Sequence, residues 1–145
     1  MPENLIIVDA NFILLPFQFK IDYLREINHK LQGKVKFIIY QQIIDELKAK
    51  AEREKEKTKF SLLLNSSLSY LERYKNDYNL VFDPLIKSKN ETSDEFLLRK
   101  SIELKKSGKL VYLATCDRAV KKQAKSQKIN LIFIRQKKMI LIERA

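Results

Sequence analysis

Glycine occurs twice in the 145 residues, proline three times, cysteine and histidine once each, and tryptophan not at all. With so few residues that break regular structure, most of the chain must lie in helices or strands. The lone cysteine, Cys116, has no second thiol to pair with, so no intramolecular disulfide forms and a reducing interior compartment is expected. No glycine-rich loop follows the first apolar run, which argues against a dinucleotide-binding Rossmann site. The single histidine, His29, lies in an amphipathic stretch, and no base is placed near Cys116 by sequence, so acyl-transfer and thiol chemistry have little support. No apolar run approaches the length of about 18 residues that spans a bilayer. FILLPF (12–17) is short and broken by Pro16, and no basic-then-apolar leader pattern is present. The expectation is a soluble, cytoplasmic protein.

What the chain does have is apolar substance and positive charge. Hydrophobic residues make up 45% and charged residues 32%, a globular composition, and 145 residues suit a single domain spanning 1–145 with one core. The net charge is +11, and its placement matters more than its size. From Arg118 to Lys138 there are eight basic residues and no acidic one. Such a stretch serves either as a solvated face or as a polyanion-binding edge, since Lys and Arg that neutralise phosphates supply affinity independent of sequence. Within it, Arg118, Lys121, Lys122 and Lys125 are the candidate phosphate contacts, which would be RNA contacts if the polyanion is RNA.

Strand and helix patterns alternate. LIIV (5–8) ends in Asp-Ala-Asn and reads as a buried parallel strand. Ile21, Leu24, Ile27 and Leu31 share one helical face over 20–31, and Gly33 ends that helix. KFIIY (36–40) is a second strand. A long helical tract follows with two apolar stripes, Ile43, Ile44, Leu47 and Ala51, then Phe60, Leu63, Leu64, Leu68, Leu71, Tyr74 and Tyr78. Between them KAKAEREKEKTK (48–59) mixes both charges and reads as a solvated helix face. LVF (80–82) is a short strand, 94–106 a helix and KLVYLAT (109–115) the clearest strand. A basic helix covers 118–127, followed by NLIFI (130–134) and MILI (139–142), an edge strand or hairpin end. This order predicts an α/β fold, a three-layer α/β/α domain around a mainly parallel sheet.

In open parallel sheets, sites form beyond the carboxyl ends of the strands. Asp9 directly follows LIIV, and Asp117 lies two residues past VYLAT. Glu46 comes six residues after FIIY, near the start of the next helix, and Asp94 opens the helix that leads into VYLAT. Carboxylates gathered at one place repel, and a divalent cation relieves the repulsion; oxygen donors favour hard ions such as Mg²⁺ or Mn²⁺. Such ions suit phosphodiester hydrolysis. Each acid also has a plain structural role open to it. Asp9 terminates a strand, Asp117 can cap 118–127, Thr92-Ser-Asp-Glu95 is a capping box that leaves Asp94 as a first-turn acid, and Glu46 can be a solvated helix residue beside Asp45.

The ordered set of segments carries a resemblance. VDANFILLPFQFKIDYL (8–24), IIDELK (43–48), TSDEFLL (92–98) and ATCDRAVKKQAK (114–125) resemble the four motifs of PIN-domain proteins, in the right order and over nearly the whole chain. The ending LIFIRQKKMILIERA is similar to the close of the ribosomal-RNA-processing branch of that family. The resemblance implies a Mg²⁺- or Mn²⁺-dependent endoribonuclease whose metal-binding, catalytic acids are Asp9, Glu46, Asp94 and Asp117. It also implies that Asn11 orients Asp9 and that Thr115 helps position water or metal. Ala10 stands where many members carry a hydroxyl residue, and Cys116 replaces a frequent asparagine. The implied partners are RNA, a ribosomal RNA precursor above all, and ribosome-assembly proteins. Two alternatives stay open: a toxin-type RNase held by an antitoxin, and a non-catalytic RNA-binding subunit of a ribonucleoprotein.

Overall fold

The computed structural model describes residues 3–53 and 58–145. Six strands form one sheet: β1 (Asn4–Val8), β2 (Val35–Tyr40), β3 (Leu80–Asp83), β4 (Leu110–Ala114), β5 (Asn130–Arg135) and β6 (Met139–Glu143). Their order across the sheet is β3-β2-β1-β4-β5-β6, with every pairing parallel except the antiparallel β5–β6 pair. β1 is central and all five of its residues are buried, which explains its unbroken apolar character: a parallel strand covered on both faces has no solvent side to alternate toward. Ile6 pairs with Phe37 on one side and Tyr112 on the other. Asn4, the one polar residue of β1, is satisfied by donating its side-chain amide to the carbonyls of Gln32 (2.8 Å) and Lys34 (3.0 Å).

Seven helices cover the sheet: α1 (Ala10–Ile13), α2 (Leu15–Gln18), α3 (Tyr23–Lys30), α4 (Gln41–Arg53), α5 (Thr58–Tyr74), α6 (Ser93–Lys106) and α7 (Arg118–Ser126). Parallel strands joined by right-handed crossovers put α1 to α5 on one face and α6 and α7 on the other. Contacts follow that division: α2 and α4 meet α5, α1 meets α4, and α6 meets α7. This is the expected three-layer α/β/α arrangement. None of the described helices is long and apolar enough to cross a membrane.

Each helix-to-strand return needs one residue in the left-handed region. Both glycines of the chain serve there, Gly33 (φ 88°) before β2 and Gly108 (φ 91°) before β4, while Asn79 (φ 52°) and Lys128 (φ 58°) do the same work before β3 and β5. The Thr92–Glu95 capping box forms as expected, with both reciprocal bonds present.

Three local features differ from the sequence-based expectation. FILLPF contributes to two short helices, α1 and α2, with Pro16 accommodated in the first turn of the second. The helix expected over 20–31 begins at Tyr23, capped by Asp22. In α5 the most buried aromatic is Tyr70, which lies outside the expected apolar stripe. The mixed-charge run 48–59 is helical up to Arg53 and again from Thr58, and its middle, 54–57, lies outside the described residues.

Candidate active site

From β1 the chain winds outward to β3 and then returns to the other side of β1 to begin β4. The crevice at this reversal, between the carboxyl ends of β1 and β4, is where open α/β sheets hold their ligands. Asp9 and Thr115 leave those two strand ends. Asp9 is 4% exposed and caps α1, its Oδ1 accepting the Ala10 N–H at 2.7 Å. Its Oδ2 accepts the fully buried Thr115 hydroxyl at 2.7 Å and the Asn11 amide at 3.4 Å. The same Thr115 oxygen accepts the Asp117 N–H at 3.1 Å. Asn11 Oδ1 accepts the Cys116 N–H at 2.9 Å, and Asp117 caps α7 by accepting the Val120 N–H at 3.1 Å. Asn11 and Thr115 therefore tie the exit of β1 to the exit of β4, which holds Asp9 and Asp117 in a fixed relation.

Thr115→Val keeps the shape and removes the hydroxyl, leaving a buried Asp9 oxygen and the Asp117 N–H each short of a partner. The expected cost is about 1–3 kcal/mol, the scale of unsatisfied buried polar groups. Urea unfolding should show a lower midpoint at unchanged slope; a midpoint equal to wild type would mean that the hydroxyl bridge holds nothing together.

Asp94 and Glu46 reach the crevice from helices. Asp94 sits in the first turn of α6, and its carboxyl is raised above the usual aspartate range by partial desolvation and then by the charges of Asp9, Asp117 and Glu46. Asp9 is raised as well, chiefly by burial and partly by Asp117, against the lowering effect of its bonds to Thr115, Ala10 and Asn11. The other three expected acids thus lie within electrostatic reach of Asp94. Glu46 has neighbours that no sequence motif singles out: its Oε1 accepts the Ser93 hydroxyl and pairs with Lys87 Nζ at 3.6 Å. Gln42 in turn accepts the Lys87 N–H at 2.9 Å. Only the capping pattern around Ser93 hints at a fixed position there; nothing local marks Lys87. Burial pushes the Cys116 thiol up to about 11, which disfavours the thiolate that thiol chemistry needs. His29 is exposed on α3.

The basic helix α7 runs directly from Asp117. Arg118 and Lys122 are exposed on it, whereas two other expected RNA contacts are engaged locally: Lys121 lies 4.6 Å from the Phe133 ring centroid, and Lys125 pairs with Glu143 at 3.1 Å.

Comparison with known proteins agrees with this fold. The family described as PIN like domain matches residues 6–137. Ribonuclease VapC4 of Methanocaldococcus jannaschii is 28% identical over 133 residues, which cover 92% of each chain. Among solved structures, the PIN domain endonuclease Utp24 superposes with a TM-score of 0.71 at 20% identity, covering 97% of this chain and 92% of its own. A domain of a functionally unknown protein from Methanocaldococcus jannaschii gives 0.63 at 18% identity, covering 90% and 91%. With the family match spanning residues 6–137, most of the chain, this protein belongs to the PIN-like domain family.

Proposed function

We propose that this protein is a metal-dependent endoribonuclease that hydrolyses RNA phosphodiester bonds in ribosomal RNA maturation. The observation that carries the reading is the Thr115 bridge that joins Asp9 to the Asp117 backbone at the β1–β4 crevice, with the charges of Asp9, Asp117 and Glu46 felt at Asp94. The donors are all oxygens and all acidic, which fits a hard divalent cation. Among the described residues no three His, Cys, Asp or Glu side chains enclose an ion by themselves. Mg²⁺ keeps several waters and is bound through one or two carboxylates together with substrate phosphate oxygens. Asp9, Asp94 and Asp117 would hold the ion, with Glu46 completing the set or orienting the attacking water. When bound, the ion supplies water activation and neutralises charge at the phosphodiester. Asn11 and Thr115 hold Asp9 in its orientation, and Lys87 and Ser93 hold Glu46.

Cleavage of a structured RNA should stop in EDTA and return with Mn²⁺, while Cys116→Ser and His29→Ala retain it. Cleavage that persists in EDTA would exclude this mechanism. On the binding side, Arg118→Gln with Lys122→Gln should weaken RNA affinity for all sequences and flatten its salt dependence by about one unit of slope per phosphate interaction removed. Adding Lys121→Gln and Lys125→Gln should add less per residue, because those two cations are already engaged by Phe133 and Glu143. A salt series of binding isotherms reads this directly, and equal slopes for wild type and variant would reduce α7 to a solvated face.

The closing segment LIFIRQKKMILIERA and the basic stretch support the processing role. The VapC4 identity supports a second reading, an RNase toxin controlled by an antitoxin. Expression of the chain alone separates them: arrest of growth, relieved by Asp94→Asn, marks the toxin, and accumulation of unprocessed ribosomal RNA on depletion marks the processing enzyme.

A further inference from the structure

Between α2 and α5 lies a cavity of about 610 Å³ that the carboxylate crevice does not use. Three aromatic rings line it: Phe17, 51% exposed, with Tyr70 and Tyr74. The Phe17 and Tyr70 centroids are 6.5 Å apart with planes at 86°, and those of Tyr70 and Tyr74 are 5.5 Å apart at 62°. Lys20 and Arg73 bring positive charge to the same lining, and Arg73 lies 5.3 Å from the Tyr74 ring. Asn65 adds an amide able to donate and accept. The β5–β6 turn contributes one more cation nearby, Lys137, whose Nζ is 5.4 Å from the ring of Phe19, the neighbour of Lys20. Tyr70 is held in place at its hydroxyl, which donates to Asp22 and accepts the Leu24 N–H at 3.1 Å. Burial and the Asp22 bond keep that phenol protonated, so the lining carries one acid, Asp22, which is engaged by Tyr70, against the two cations Lys20 and Arg73.

We propose that this cavity is a second RNA subsite, taking one unpaired nucleotide of the strand with its base against the Phe17 and Tyr70 rings and its phosphate toward Lys20 and Arg73. Aromatic faces beside cations are the chemistry that recognises an unstacked base joined to a phosphate, and the volume lies in the range of small-ligand sites. A duplex keeps its base faces stacked inside, so the cavity selects single-stranded RNA. An acidic peptide would meet the cations but has no use for the ring walls. The inference rests on RNA being the substrate, and deepens that reading by placing a contact away from the cut.

Binding without cleavage tests the subsite. The background is Asp94→Asn in EDTA, and the probes are a fluorescein-labelled single-stranded RNA of mixed sequence and a labelled RNA duplex. Phe17→Ala with Arg73→Gln should raise the single-strand Kd roughly 10- to 100-fold, the scale of removing one base–aromatic stack, and change the duplex Kd little. Both residues are exposed, so the melting midpoint should stay at the background value. Phe17→Tyr should restore most of the affinity that Phe17→Ala removes. A probe carrying 4-thiouridine should crosslink to peptides containing Phe17, Tyr70 or Tyr74. Unchanged single-strand affinity, crosslinks confined to α7, or an effect seen only with an acidic peptide probe would overturn the proposal. The nuclease reading fails separately: a wild-type chain inert with Mn²⁺, but weakened in binding by the pair, would lose its catalytic role and keep the subsite.

Discussion

Asp94→Asn should lose RNA cleavage on the order of a thousandfold, the scale of removing a preorganised electrostatic group from a reacting centre. Its RNA affinity should hold or tighten, because a negative charge leaves the phosphate path. Asp94 is the informative position, since its carboxyl is the one raised by all three other acids. The same shifts set a pH dependence. Asp9 and Asp94 are raised in the folded chain above the ordinary value of 3.8, so between the two states the folded one holds its protons to higher pH. Their contribution to stability in cation-free buffer is therefore full below that ordinary value and is lost as pH rises through the raised values. Asp94→Asn removes one of the two contributions and should flatten the decline. Millimolar Mn²⁺ should lift the wild-type melting midpoint at neutral pH by binding the folded state, and lift that of Asp94→Asn less. A variant that cuts RNA at the wild-type rate would remove Asp94 from the machinery altogether.

The largest stability loss should come from Phe96→Ala, about 3–5 kcal/mol for deletion of a buried aromatic side chain. Phe96 is fully buried two residues after Asp94, and its ring meets that of Tyr40 edge to face at a centroid distance of 4.8 Å. Tyr40 is the last residue of β2, so this contact seats the first turn of α6 against the carboxyl end of the sheet. The cavity left by alanine should loosen Asp94 along with the helix, and cleavage should fall even at temperatures where the protein remains folded. The exposed partners of α6 do not make up the difference. Arg99 bridges Glu91 at 2.7 Å and Glu103 at 2.9 Å, but such surface pairs are worth at most about 1 kcal/mol each. Urea denaturation of Phe96→Ala and Phe96→Leu checks the point, with the leucine variant expected to lose less. A loss under about 1 kcal/mol for alanine would show that α6 is seated by other side chains.

The local features of this protein are readable from sequence because each is decided by neighbours in the chain. Short β-branched runs bounded by turns mark β1, β2, β4 and β5, and the capping box at Thr92 marks the start of α6. Asp9 and Asp117 are legible as site candidates because each follows a strand that the apolar pattern already identifies, and a strand's carboxyl end is where a parallel sheet binds. The two short helices around Pro16 are not legible, since four residues are too few to show a period and they form by packing rather than by propensity.

Tertiary structure decided everything that joins distant segments. That Asp94 faces Asp9 depends on the strand order, which places β4 beside β1 although more than one hundred residues separate their neighbouring ends. The Thr115 hydroxyl between Asp9 and Asp117, the Lys87 and Ser93 contacts to Glu46, and the capture of Lys125 by Glu143 have no local signal. The same holds for the aromatic cavity, whose walls come from α2 and α5. Periodicity tells which face of an element is apolar; only the folded chain determines which other face it meets, because that choice is settled by packing and hydrogen bonding across the whole core.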